Sequence, residues 1–278
     1  MKLRWPTVVA ANASVLAPGV VAALLRAFRT DTYSRAVQED QALEWATFWA
    51  FAMAAAFYLV TAVRQRRAGL GVPWFTTGLA LFCVFVAMEE ISWGQRVLGY
   101  RPPDYFLEQN FQQELNVHNV FSTGLRKLVL KGVILGFGVV LPLLAAGKRG
   151  KAVLDRLGVP APPWQLAPAF LATYLLYEIY PWSHTGEWVE LMLGFGFLLA
   201  AVSSIGRAQP SGSEPRLQVV QVLASVLAPI LLGLGTTAVL DAARSENPEL
   251  LATAQREVEA LRQDFLSGRI ESNCSLHK

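Results

Sequence analysis

Residues 87–119 carry the densest set of side chains in the chain able to move protons or bind metal. Glu89 and Glu90 are adjacent at the end of an apolar run, followed by Trp93, Gln95 and Arg96. A polar stretch then brings Glu108, Asn110, Glu114, Asn116, His118 and Asn119. Carboxylates and imidazoles serve as general acids and bases, and also as ligands for Zn, Mn or Fe. Asn110, Glu114 and His118 recur every four residues, which puts them on one face if the segment is helical. On such a face Glu114 and His118 could chelate one ion. A second group, His184, Glu187 and Glu190, lies further along. The chemistry expected is metal-assisted: Glu114, His118 and His184 hold a divalent metal, with Glu89 or Glu90 completing the set. Glu187 acts as general base on a metal-bound water. Gln95, Arg96 and Asn110 orient a polar or anionic headgroup.

Other templates fit less well. No HExxH motif occurs, and three histidines are too few for a desaturase-like cluster. Di-iron bundles place Glu and His three residues apart rather than four. No serine sits in a nucleophile elbow, and there is no glycine-rich phosphate loop.

The elements that must position these residues are membrane spans. The chain is 53% hydrophobic and only 16% charged, against about 25% charged for a soluble domain. A net charge of +3 is too small to suggest a nucleic-acid partner. Seven windows are long and apolar enough for helices across a ~30 Å core. They run roughly over 7–28, 42–63, 73–93, 127–146, 164–182, 187–206 and 217–240. The fold expected is therefore all-α, a polytopic bundle of about seven spans occupying 1–240. Trp5, Trp74, Trp93, Trp164, Trp182 and Trp188 fall at window ends, where indoles prefer the headgroup level.

Parity then gathers the chemistry. The third span ends at Glu89 and Glu90, and the third connection carries Asn110, Glu114 and His118. The fifth span ends at Glu178, and the fifth connection carries His184 and Glu187. All of these belong to one membrane face. At 1.5 Å per residue Glu89 lies ~24 Å along its span, several Å short of the interface. An ionised carboxylate there faces the bundle interior or pairs with something. Glu89 and Glu90 are about 100° apart on a helix, so one is expected to face the site while the other pairs with Arg96 or reaches the headgroups. The third connection is expected to form an interfacial or re-entrant helix from Pro102 onward.

Lys and Arg in the loops put the N-terminus in the cytoplasm of a bacterial inner-membrane protein and, with seven spans, the C-terminus outside. Residues 241–278 form a polar tail. Asn247-Pro248-Glu249 opens an amphipathic helix there that could dock a protein partner. Cys83 and Cys274 are too separate in context to pair. Membrane lipid is the partner expected from the class, and a lipid or lipid-linked molecule the substrate. Two alternatives come from other classes: a proton-coupled transporter, and a non-catalytic subunit of a larger membrane complex.

At Glu89-Glu90-Ile91-Ser92-Trp93-Gly94-Gln95-Arg96, and again at Asn110, Gln113-Glu114 and Leu115-Asn116-Val117-His118-Asn119, the chain resembles a family of uncharacterised bacterial polytopic membrane proteins. The resemblance centres on residues 85–120, with an echo at Glu187-Trp188-Val189-Glu190. It implies membrane location and supports the choice of residues, and carries no mechanism. Seven spans with acids and histidines at one face are also similar in architecture to ceramidase-like membrane hydrolases, which hold zinc between helices. Their three-histidine pattern is missing here.

Overall fold

The computed structural model describes residues 4–110, 114–205 and 217–246, and the regular structure among these is all helical. In chain order the helices are α1 (Trp5–Phe28), α2 (Thr30–Ala36), α3 (Ala42–Arg67), α4 (Trp74–Glu90), α5 (Gln95–Leu98) and α6 (Asp104–Gln109). They continue with α7 (Thr123–Leu135), α8 (Leu141–Ala146), α9 (Lys148–Leu157), α10 (Ala167–Ile179), α11 (Thr185–Ile205) and α12 (Val219–Glu246). Five helical stretches are long and apolar enough to cross a membrane: α1, α3, Thr123–Ala146, α11 and Val219–Ser245.

Two of the seven expected windows are shorter. α4 has 17 residues and α10 has 13, roughly 26 and 20 Å at 1.5 Å per residue. α4 stops because Ser92, Trp93 and Gly94 all take left-handed backbone, with φ of 46, 55 and 80°. α10 is shorter at both ends: Trp164–Leu166 form a tighter 3-10 turn before it, and Tyr180 after it takes left-handed backbone, with φ of 44°.

α3 and α11 form the centre. α3 packs on α4, α11 and α12, and α11 also meets α1 and α10. Nearly all of α11 is buried, which explains why it is apolar on every side. Between apolar helices lipid gives little hydrophobic drive, so close contact must supply the attraction. Glycines provide it at three crossings. Gly194 faces Ala50 and Phe51, and Gly233 lies against the α3 backbone at Ala42 and Ala46. Phe170 is held between Gly138 and Gly196; a Cβ on these would lie 2.1 and 2.6 Å from its ring. A π-helical turn, Gly136–Val140, joins α7 to α8. It places Phe137 flat on Phe197, with ring centroids 4.2 Å apart.

Three sequence expectations change. The third connection is not one long helix: α6 ends at Gln109, Asn110 is extended, and 114–122 is irregular. Tryptophans lie at both ends but are unevenly exposed. Trp5, Trp74 and Trp164 are exposed at one end, whereas at the other Trp188 is buried and stacks on Tyr33, and Trp93, 38% exposed, turns its indole back to Glu89. α12 runs on to Glu246, past the expected boundary at 240. The amphipathic helix expected from Asn247, and Cys274 with it, lie outside the described residues.

Candidate functional site: a carboxylate-rich cavity at one end of the bundle

The charged residues are sorted by end. Among the described residues, every acidic residue except Asp155 belongs to segments that meet at one end: α2 and the turn after it, the start of α3, the end of α4, the third connection, the end of α10, the start of α11 and the end of α12. A cavity of about 730 Å³ opens there. Its lining includes Glu39, Glu44, Glu89, Glu90, Glu114, Glu187 and Glu190, with His118 and His184, against Arg126 and Lys127 as the only cations among the described residues. Tyr177, Tyr180, Asn116 and Asn119 complete its polar wall. All six residues expected to do chemistry (Glu89, Glu90, Glu114, His118, His184 and Glu187) therefore share one cavity. Glu89 and Glu90 both line it, contrary to the expected division between site and headgroup.

Glu89 organises the inner wall. It is buried, at 4% exposure, and accepts four hydrogen bonds. The Trp93 indole donates to Oε1 at 2.7 Å. The backbone N–H groups of Val117 and His118 donate to Oε2 at 2.7 and 2.9 Å. His118 Nδ1 lies 3.1 Å from the same oxygen. An ionised carboxylate accepts and does not donate, so this pairing puts the imidazole proton on Nδ1. Nε2 is left as the ring nitrogen with a lone pair. Among the described residues Nε2 has no hydrogen-bond partner, and His118 is half-exposed on the cavity wall.

These same bonds explain why the third connection is irregular. A helix through 114–118 would bind the N–H groups of Val117 and His118 to its own carbonyls. Here they turn to Glu89 instead. The left-handed residues after α4 bring the Trp93 indole back over the carboxylate four residues earlier. Asn110 supports the bend from the other side: its Nδ2 donates to the Glu114 carbonyl and to Asn116 Oδ1, both at 2.7 Å. Gln95 Oε1 accepts the Leu115 N–H at 2.6 Å. Asn110 and Gln95 thus brace the loop, and neither is among the residues lining the cavity. Arg96 lies in α5, and its side chain is outside the described residues.

Glu114 is also engaged. Its Oε2 accepts from the Ser92 hydroxyl and from Asn116 Nδ2 at 3.0 Å. His184 sits in a tight connection between α10 and α11, with φ of 59°. Tyr33 pins that connection by donating to the Ser183 carbonyl at 2.6 Å. Glu178 is not in the cavity lining; it pairs with Lys131 at 2.5 Å. Although Glu114, His118 and His184 line one cavity, no three His, Cys, Asp or Glu side chains among the described residues gather closely enough to hold a metal ion.

Sequence reasoning missed several members. Glu44 opens α3 at the same end, so the parity argument could have found it from the second span. Arg126, Tyr177 and Tyr180 carried no pattern of their own. Ser92 and Trp93 became meaningful only once the left-handed turn was seen. No protein-family model, no curated protein and no solved structure matches the chain.

Proposed function

We propose that the chain is an integral membrane enzyme in which Glu89 and His118 act as a general acid–base pair on an amphiphilic substrate. The observation that carries this reading is the buried Glu89 carboxylate holding His118 through Nδ1, with Nε2 left as the base on the cavity wall. A carboxylate that fixes the tautomer and stabilises the imidazolium is the orienting half of many proton-transfer sites. Glu90, Glu187 and Glu190 are further carboxylates in the same cavity. Among the described residues of the lining, seven carboxylates against two cations disfavour a phosphate-bearing head and favour a neutral or amine-bearing one. The remainder of the substrate stays in the bilayer.

In this reading α4 and α10 also cross the bilayer, giving seven spans. The basic cluster of Arg64, Arg66, Arg67, Lys148, Arg149 and Lys151 faces the cytoplasm, and the cavity faces outside. The test compares lipid extracts of cells producing wild type, His118→Ala or Glu89→Gln at matched levels in the membrane. A lipid consumed or formed by wild type and unchanged by both variants supports catalysis. Identical profiles from three folded proteins would overturn it and favour a non-catalytic subunit.

A second reading keeps the expected divalent metal (Zn, Mn or Fe). A carboxylate hydrogen-bonded to one imidazole nitrogen is also how proteins orient a metal-ligating histidine. Glu90, Glu187 or His184 would then have to close on His118 Nε2. Stoichiometric metal in the purified wild type, lost in His118→Ala, would favour this reading. Metal-free protein with full activity would remove it.

A further inference from the structure

The end of the bundle opposite the cavity carries a second feature, independent of the reading above. Residues 147–163 look like a basic loop in the sequence, but Lys148–Leu157 form the helix α9. Gly150, Val153, Leu154 and Leu157 make one apolar helical stripe, with the small Ala152 on the opposite side. Lys148, Arg149, Lys151 and Arg156 occupy the other side. The stripe is only partly used by the protein. Leu154 is buried against Val159 and Ala161, while Val153 and Leu157 are each 55% exposed. Gly150 sets how close α9 sits to α8, since a Cβ there would lie 2.2 Å from the Leu144 carbonyl oxygen. Trp74 ties the far end of α9 to α4, its indole donating to the Leu157 carbonyl at 2.8 Å.

Beneath α9 lies a cavity of about 340 Å³. Pro142, Ala145, Leu154, Val159 and Ala161 form apolar parts of its wall, and Lys151 and Trp164 also line it. Lys151 is paired with Asp155 at 2.6 Å, and Asp155 is the one acid at this end among the described residues. The exposed indoles of Trp5, Trp74 and Trp164 mark the headgroup level here. A basic helix with a half-covered apolar stripe, set at that level over an apolar cavity, has the features of an interfacial helix on anionic lipid.

We infer that α9 and the proline-rich turn after it form a binding site for one anionic phospholipid, its phosphate on Lys148, Arg149 and Lys151 and part of an acyl chain in the cavity lined by Leu154, Val159 and Ala161. The charge ratio at this end selects the anionic headgroup. The exposed Val153 and Leu157 select a lipid over a soluble phosphate compound, which could not cover them.

The experiment uses the full chain in detergent, equilibrated with equal amounts of phosphatidylglycerol and phosphatidylcholine of identical acyl chains. Lipid retained after gel filtration is quantified by mass spectrometry. Wild type is expected to retain phosphatidylglycerol several-fold over phosphatidylcholine. Lys148→Gln/Arg149→Gln/Lys151→Gln is expected to abolish that preference, and Ala161→Trp, which fills the cavity, to lower retention of both lipids. Arg64→Gln/Arg66→Gln/Arg67→Gln, at the same end but off α9, is expected to keep the preference. Should the triple α9 variant fail to fold, raising salt on wild type must reduce the preference. Equal retention of the two lipids by wild type, or a preference that survives the α9 substitutions or is unmoved by salt, overturns the assignment.

Discussion

At the scale of single residues, Glu89 holds more of the site in place than any neighbour. Its carboxylate binds two backbone N–H groups, one indole and one imidazole. Glu89→Ala removes the acceptor of all four of these part-buried bonds. A donor left unpaired costs about 1–3 kcal/mol when buried and less where water reaches it, so a net loss of about 2–3 kcal/mol is expected, read as a lower melting temperature in detergent. The amides of Val117 and His118 should exchange faster in the same variant. His118→Ala keeps the backbone bonds to Glu89, and its stability should change by no more than about 1 kcal/mol. If the two variants destabilise equally, Glu89 is not the anchor of the loop. Sequence reading reached both residues by type and by parity, yet misread the segment between them. Asn110, Glu114 and His118 recur every four residues, but the period is a coincidence. A carboxylate 28 residues earlier takes the amides that a helix would need, and no local pattern reveals that competition.

At the scale of elements, the bundle is set by where side chains are missing. Phe170 on α10 fits between Gly138 in the π-helical turn and Gly196 on α11. Gly196→Ala places a methyl 2.6 Å from the Phe170 ring, and overpacking of that kind costs about 1–3 kcal/mol. Phe170→Leu alone leaves a void. The two together should be less damaging than the sum of the single changes, and a double-mutant cycle of melting temperatures measures the difference. Strict additivity would mean that the ring and the glycine do not press on each other. Helices at the seven windows were legible from apolar length alone, five of them long and apolar enough to cross a membrane, because lipid demands that every backbone polar group be satisfied within the segment. Their ends were not. α4 stops at the left-handed turn that carries Trp93, and α10 lies between a 3-10 turn at Trp164–Leu166 and the left-handed Tyr180, so both fall short of the expected windows. α9 escaped notice for a related reason: ten residues with one apolar stripe read as a loop when sought with a window of about 20.

At the scale of the whole molecule, the two ends differ in charge and in aromatic content. One carries the carboxylate cavity, with Trp188 buried and Trp93 partly exposed. The other carries basic residues with a single acid among the described residues, and exposed indoles. A counting rule based on Lys and Arg sees only a modest bias between them, since the cavity end has basic residues too: Arg126 bonds to Asn119 at 2.8 Å, Lys131 pairs with Glu178, and Arg244 with Asp40. At the opposite end Arg64, Arg66, Arg67, Lys148, Arg149 and Lys151 sit directly beside helix ends in short connections, the pattern expected of the cytoplasmic side. Impermeant maleimide labelling of right-side-out vesicles checks this in a Cys83→Ala/Cys274→Ser background. Cys83 is fully buried in the bundle, so its removal takes away no accessible thiol. Asp104→Cys, on exposed α6 at the cavity end, should label in sealed vesicles. Arg149→Cys, on α9, should label only after the vesicles are opened. The reverse pattern would put the cavity in the cytoplasm and make cytoplasmic amphiphiles its substrates. Labelling of both sites in sealed vesicles would place the two ends on one side of the membrane, so that α9 and the cavity could not mark opposite faces of a spanning bundle.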